Sequence, residues 1–257
     1  MPPRLVLAYA GIGVLVALHW LTFYGSIKLS NASVGATCIA LATVFTALVE
    51  PWLTRTRLSK REVALGLAVL PGVALVVGGV PADMRLGIAV GAVSALFVAL
   101  FGSLNKRMVE HGDALTVTAL ELGAGALTLT LLAPLMPAIF PAFAGDLFVM
   151  PSTSDALYLL ALAMVCTLLP FTLSLVALRH MNAFAAQMAV NMEPVYAILL
   201  AIVLLGEQHE LTTQFYLGVV IILAAVFAQP LLNRLANRHP VDHPEVLGTA
   251  EAKHIAD

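Results

Sequence analysis

"AFAAQMAVNMEPVYAILLAIVLL", residues 183–205, is an apolar run without Lys or Arg, interrupted by a single acid, Glu193, and then at once by Pro194. About 20 apolar residues suffice for a helix to cross a bilayer. Pro194 has no N–H to donate, so within a helix it frees the carbonyl of Val190. Freed carbonyls at membrane depth are tolerated only inside protein or beside a water-filled cavity. The run therefore reads as a membrane helix whose broken middle faces the interior of a helical bundle.

The rest of the chain agrees. Of its 257 residues, 60% are hydrophobic and 11% charged, with mean hydropathy +0.96. Ordinary globular chains run to about 25% charged, so most of this surface needs lipid as its solvent. Seven further stretches have the length and apolarity of a span: Leu5–Ile27, Asn31–Leu53, Val63–Ala82, Leu86–Asn105, Ala114–Met136, Ala156–Leu178 and Leu211–Asn233. The expected fold class is all-α, a polytopic membrane protein of about eight transmembrane helices. Residues 137–155, with three prolines and Asp146, suggest a re-entrant or interfacial loop, and residues 234–257 a disordered tail. The first span has no small-residue cleavage site after it and does not read as a signal peptide. Cys38 and Cys166 fall in apolar stretches and read as small buried hydrophobes rather than a disulfide.

With the N-terminus in the cytoplasm, eleven of the thirteen Lys and Arg fall on the cytoplasmic side and only Lys28 and Arg85 outside. By the positive-inside rule both termini are cytoplasmic, in an inner (plasma) membrane. Net charge is −2, and neither basic runs with aromatics nor Gly-rich phosphate loops occur, so no nucleic acid and no nucleotide cofactor are expected.

Sliding residues 27–53 onto 178–204 brings Asn31 onto Asn182, Ala32 onto Ala183 and Val44 onto Val195. The following loops differ in charge: "RTRLSKR" at 55–61 is strongly basic, whereas "GEQHE" at 206–210 has no Lys or Arg. Similar hydropathy with opposite charge bias indicates inverted repeats, an architecture of secondary transporters. The repeat unit is five helices, with the second copy complete at 86–233 and the first represented by three helices at 1–82.

"MAVNMEPVYAILLAIVLLGEQ" (188–208) followed by "YLGVVIILAAV" (216–226) resembles the last two helices of the EamA-type branch of the drug/metabolite transporter (DMT) superfamily. "LNKRMVEHGDALTVTALE" (104–121) resembles its sixth-to-seventh connection, and "HWLTFYGSIKLSNASV" (19–34) its third-to-fourth. The resemblance implies ten helices around a central cavity and export of small organic solutes. Two departures are expected to matter. The first two helices have no counterpart here, so the missing wall would come from a longer chain or from a second copy in a homodimer. Thr43 stands where a helix-breaking proline would be expected, which suggests functionally unequal halves.

Ionisable and polar groups at membrane depth are functional candidates because each costs roughly 2.5–3.5 kcal/mol to insert when charged. Glu121, eight positions into its span, is either hydrogen-bonded to a neighbouring helix or used for a coupling proton or a substrate amine. Gln187 and Asn191, four apart, share one helix face, while Glu193 lies about 200° round from Asn191 on a straight helix. It lines the cavity beyond the break or locks helices together. His19 pairs with Phe23, and Trp20 with Tyr24, each four apart. Trp20 and Tyr24 suit either an aromatic belt or a substrate wall, and His19 either the pathway or packing. Glu50 reads as structural, near Arg55 or Arg57. Gly87, Gly91 and Ala95 form a close-packing face; Pro71 and Pro170 are expected to kink their helices.

An enzyme is disfavoured. "HELTT" at 209–213 has Thr213 where a second zinc-binding His is needed, and Pro240 separates His239 from His243. The expected function is a secondary-active exporter of a small metabolite such as an amino acid, without cofactors; the alternative is a non-transporting truncated membrane protein or scaffold subunit.

Overall fold

In the computed structural model, residues 1–139, 145, 149–190, 192–209 and 211–236 are described. Asn191, residues 140–144 and 146–148 of the 137–155 loop including Asp146, and the tail beyond residue 236 with His239 and His243 lie outside the described residues. The described residues are helical without strands. Eight elements correspond to the eight expected spans. They are α1 Pro3–Leu29, α2 Ala32–Thr54, α3 Lys60–Gly78, α4 Arg85–Met108 and α5 Ala114–Leu132. Then come α6 Thr153–Leu178, α7 Ala183–Leu205 and α8 Thr213–Ala236. Residues Met1–Val226 form one compact unit; Phe227–Asp257 form a second, of which the end of α8 is described.

Helix starts are written in the sequence as short polar caps. Ser59 Oγ accepts from Glu62 N at 3.3 Å, Asp113 Oδ1 from Thr116 N at 3.0 Å and Ser152 Oγ from Asp155 N at 3.1 Å, opening α3, α5 and α6. The hydrogen bonds from Thr116 hold the Asp113 carboxyl below the usual carboxylate range.

Burial sorts the helices. In α2, 78% of the most apolar window is buried, against 6% in α6. So α2 is the centre of the bundle, while Leu157, Tyr158, Leu160 and Val165 of α6 stay uncovered by protein, as suits a helix solvated by lipid. Lipid tails supply no hydrophobic drive between helices, so close approach has to come from small residues. The Gly87–Gly91–Ala95 face of α4 does this: a Cβ on Gly91 would lie 2.7 Å from the Cys38 Cβ and 2.8 Å from the Ser26 Oγ. Beside it, Ser26 Oγ donates to Gly87 O at 2.7 Å. Gly13 of α1 similarly abuts the backbone of Glu121 in α5.

Several helices are broken. α3 is interrupted at Ala68–Val69, just before Pro71. α6 widens into a π turn at Met164–Leu168 before Pro170. α7 is interrupted at Met192, which lies in a turn, just before Glu193–Pro194. The break in α2, between Cys38 and Leu41, has no proline. Here the bonds Ile39 N to Ala36 O, Ala40 N to Thr37 O, Ala42 N to Ile39 O and Thr43 N to Ala40 O tighten the helix to a 3₁₀ turn. The break in α2 thus arises without the proline that α7 has at Pro194, Thr43 standing in its place.

Candidate functional site

The two broken helices, α2 and α7, are tied to each other at both ends by carboxylates. Glu50, near the end of α2, is 6% exposed. Its Oε1 accepts from Ala183 N and its Oε2 from Phe184 N, each at 2.7 Å. Glu207, just past the end of α7, does the reverse: its carboxylate accepts from Ala32 N at 3.0 Å and Ser33 N at 2.9 Å. Each acid satisfies two of the orphan donors at a helix start and meets the positive end of its dipole. Asn31 and Asn182 cap the same starts, accepting from Val34 N at 3.0 Å and Ala185 N at 2.8 Å. Glu50 thus serves as a clamp on α7; the expected pairing with Arg55 or Arg57 is replaced by these two backbone bonds.

Between α1, α2, α4, α6 and α7 lies a cavity of about 450 Å³. Helical spacing explains its walls. From α1 come His19, Trp20, Phe23 and Tyr24; from α4 come Val98, Phe101, Gly102 and Asn105, an i, i+3, i+4, i+7 series. α6 supplies Cys166, Thr167, Pro170, Phe171 and Ser174 around its π turn, and α7 supplies Ala186, Gln187, Val190 and Glu193. At about 3.6 residues per turn Gln187 and Glu193 lie about 120° apart, on one broad face that Ala183, Ala186 and Val190 complete, and both line the cavity.

His19 stacks on Phe23, with ring centroids 5.8 Å apart, and lies 5.7 Å from Phe101. Its Nδ1 is 2.8 Å from Ser94 Oγ and 3.3 Å from Ser94 O, while Ser94 Oγ donates to His19 O at 3.0 Å. A carbonyl only accepts, so Nδ1 carries the proton and Nε2 of the neutral ring is an acceptor.

Of the residues singled out in the sequence, His19, Trp20, Tyr24, Gln187 and Glu193 line the cavity. Gln187 is buried and its Nε2 has no partner among the described residues. Glu121 stands one step behind the wall, fully buried. Asn105, which does line the cavity, donates from Nδ2 to Glu121 Oε2 at 3.0 Å. The other oxygen of each, Glu121 Oε1 and Asn105 Oδ1, has no partner among the described residues. Sequence reading missed Asn105, although a lone amide in "ALFVALFGSLN" was a visible signal. Cys38 is buried as expected, but Cys166 is exposed on the cavity wall; both thiols are free. Among the described residues no group of His, Cys, Asp and Glu is arranged to hold a metal ion.

Comparison with known proteins decides the family. The sequence model described as the EamA-like transporter family matches residues 85–228, more than half of the chain. The chain belongs to the EamA-like transporter family. It is a multi-pass membrane protein of a DMT-type transporter family, and the lipid bilayer and small-molecule solutes are the partners of such a protein. No curated protein matches it. A solved crystal structure, titled only as that of a protein, is similar in fold, with a TM-score of 0.63 at 18% identity. The match covers 92% of this chain and 79% of that one. EamA-like membership covers α4 to α8 directly, and the fold likeness extends over the earlier helices too.

Proposed function

We propose that this EamA-like protein is a secondary-active exporter of a small organic metabolite of about amino-acid size. It works in the inner membrane with both termini in the cytoplasm and exchanges its solute for a proton carried by Glu121. The observation that carries this reading is the cavity: aromatic rings and a few polar groups converge where α7 is broken, inside an apolar bundle. Its volume of about 450 Å³ lies within the roughly 300–1,000 Å³ usual for small-molecule sites.

The inverted-repeat reading supports alternating access. α2 and α7 run antiparallel, each clamped at its start by an acid at the far end of the other. Each ends in a left-handed residue, Arg55 with φ 57° and Gly206 with φ 72°. Those two positions differ by the same shift that aligns Asn31 with Asn182. Two similar halves clamped at opposite ends suit a bundle that rocks about a central site. The proposed repeats are 1–82 and 86–233.

Metabolite profiling of the medium tests this. Cells overproducing the protein should accumulate at least one small organic solute outside, several-fold over cells with empty vector. A Gln187→Trp variant, which fills the cavity, should remove the difference at equal membrane abundance. No solute differing between protein and vector would refute the exporter.

A further inference from the structure

The cavity's charge pattern is lopsided. Glu193 is the only carboxylate among the described lining residues, and no Lys or Arg lines the cavity among them. Two of the basic side chains at one end of α4 and α6 are hydrogen-bonded to backbone carbonyls. Lys106 Nζ donates to Leu178 O at 2.7 Å, and Arg179 Nη2 to Gly112 O at 2.8 Å. The start of α7 is capped by Glu50, so its backbone donors are satisfied too. A solute carboxylate would find no charge partner here. Leaving a buried charge unpaired is far more costly than omitting a neutral hydrogen bond.

An ammonium group meets the opposite situation. Glu193 lines the same cavity as the aromatic rings of Trp20, Phe23 and Tyr24. Phe23 and Tyr24 pack edge to face with centroids 5.5 Å apart, and Trp20 lines the same wall. Ring faces attract cations, more so when desolvated. The unprotonated Nε2 of His19 adds an acceptor, its Nδ1 proton being committed to Ser94. At the same time, Gln187 Nε2, without a partner among the described residues, offers N–H to a neutral oxygen. Phe101 and Phe171 form the apolar remainder.

Resting on the transporter reading above, we infer that this site selects organic monocations: a protonated amine on a flat apolar body, in preference to zwitterions and anions of the same shape. Glu193 is the charge partner and the rings around Trp20 and Tyr24 form the cation's other wall.

Three probes of nearly one shape separate the cases: 2-phenylethylammonium, phenylalanine and 3-phenylpropionate, each added to the purified full chain in detergent. Thermal unfolding reads binding. At about tenfold over its Kd the ammonium should raise Tm by roughly 3–6 °C, and the other two should raise it by less than about 1 °C. Glu193→Gln should weaken the ammonium's Kd about tenfold or more, with ligand-free Tm unchanged, and Glu193→Asp should retain part of the affinity. Equal stabilisation by phenylalanine or phenylpropionate would overturn the inference, as would absence of stabilisation by the ammonium or full affinity in Glu193→Gln. Selective ammonium binding without flux in proteoliposomes would leave the inference standing and overturn transport. Flux of an anion would do the reverse.

Discussion

Glu121→Gln should abolish proton-coupled flux while leaving the protein folded and at least as stable as wild type. In the native pair one hydrogen bond joins Asn105 Nδ2 to Glu121 Oε2, and Glu121 Oε1 and Asn105 Oδ1 remain as buried acceptors without a partner among the described residues. A proton on Oε1 supplies the missing donor. The glutamine amide supplies it permanently, with the same shape, so the variant mimics the protonated state. Satisfying buried acceptors is worth about 1–3 kcal/mol, so stability should hold or rise. The neighbouring titratable group, Tyr9, has its hydroxyl committed to Met108 O at 2.9 Å, so it does not substitute for the lost carboxyl. In proteoliposomes with an imposed pH gradient, pH-driven flux should fall by about tenfold or more and no longer vary with pH. Unchanged flux with unchanged pH dependence would remove Glu121 from coupling.

The second large effect is on stability. Glu50→Ala removes both acceptors from the start of α7 at once, and Ala183 N and Phe184 N lose 2.7 Å bonds to a buried carboxylate. Charge-assisted bonds contribute about 1.5–3 kcal/mol each and are not additive, so a loss of about 2–4 kcal/mol is expected. For a chain of this size that corresponds to a fall in Tm of roughly 5–15 °C. Glu207→Ala should behave alike at the other clamp. Glu62→Ala is the control: its carboxylate meets only the exposed Asn182 side chain, at 3.2 Å, and its loss should shift Tm by less than about 2 °C. Equal Tm values for all three variants would show that the clamps contribute nothing.

What sequence could reveal divides along physical lines. Bilayer thickness dictates the length of an apolar run, so the spans were legible to within about four residues at each end. Leu5–Ile27 became Pro3–Leu29, and Ala183–Leu205 is unchanged. Glu193–Pro194 announced a break because proline removes a donor whatever surrounds it. The break in α2 was not legible, since a 3₁₀ turn at Ile39–Ala40 arises from packing at the bundle centre and not from a local breaker. Glu193 was legible as a cavity residue together with Gln187, since the two share a face about 120° wide with Ala186 and Val190. Glu50 was read against its neighbours in sequence, whereas its partners are 133 and 134 residues away. Asn105 and Glu121 were both visible as polar residues in apolar helices. Only the close approach of α1, α4 and α5, permitted by Gly13 at Glu121, makes them a pair.

The central claim is a water-filled pathway inside the bundle, and the two native cysteines test it without any substitution. Cys166 lines the cavity, whereas Cys38 is 3% exposed and packed against α4, its Sγ 3.8 Å from Ile88 O. A charged, membrane-impermeant methanethiosulfonate reagent needs both water and thiolate at its target. Applied to the protein in sealed membranes from either side, with intact mass as the readout, it should add one label. That label should lie on Cys166 and disappear in Cys166→Ser. Unfolding in detergent should expose both thiols. Cys166 as unreactive as Cys38 from both sides would contradict the account.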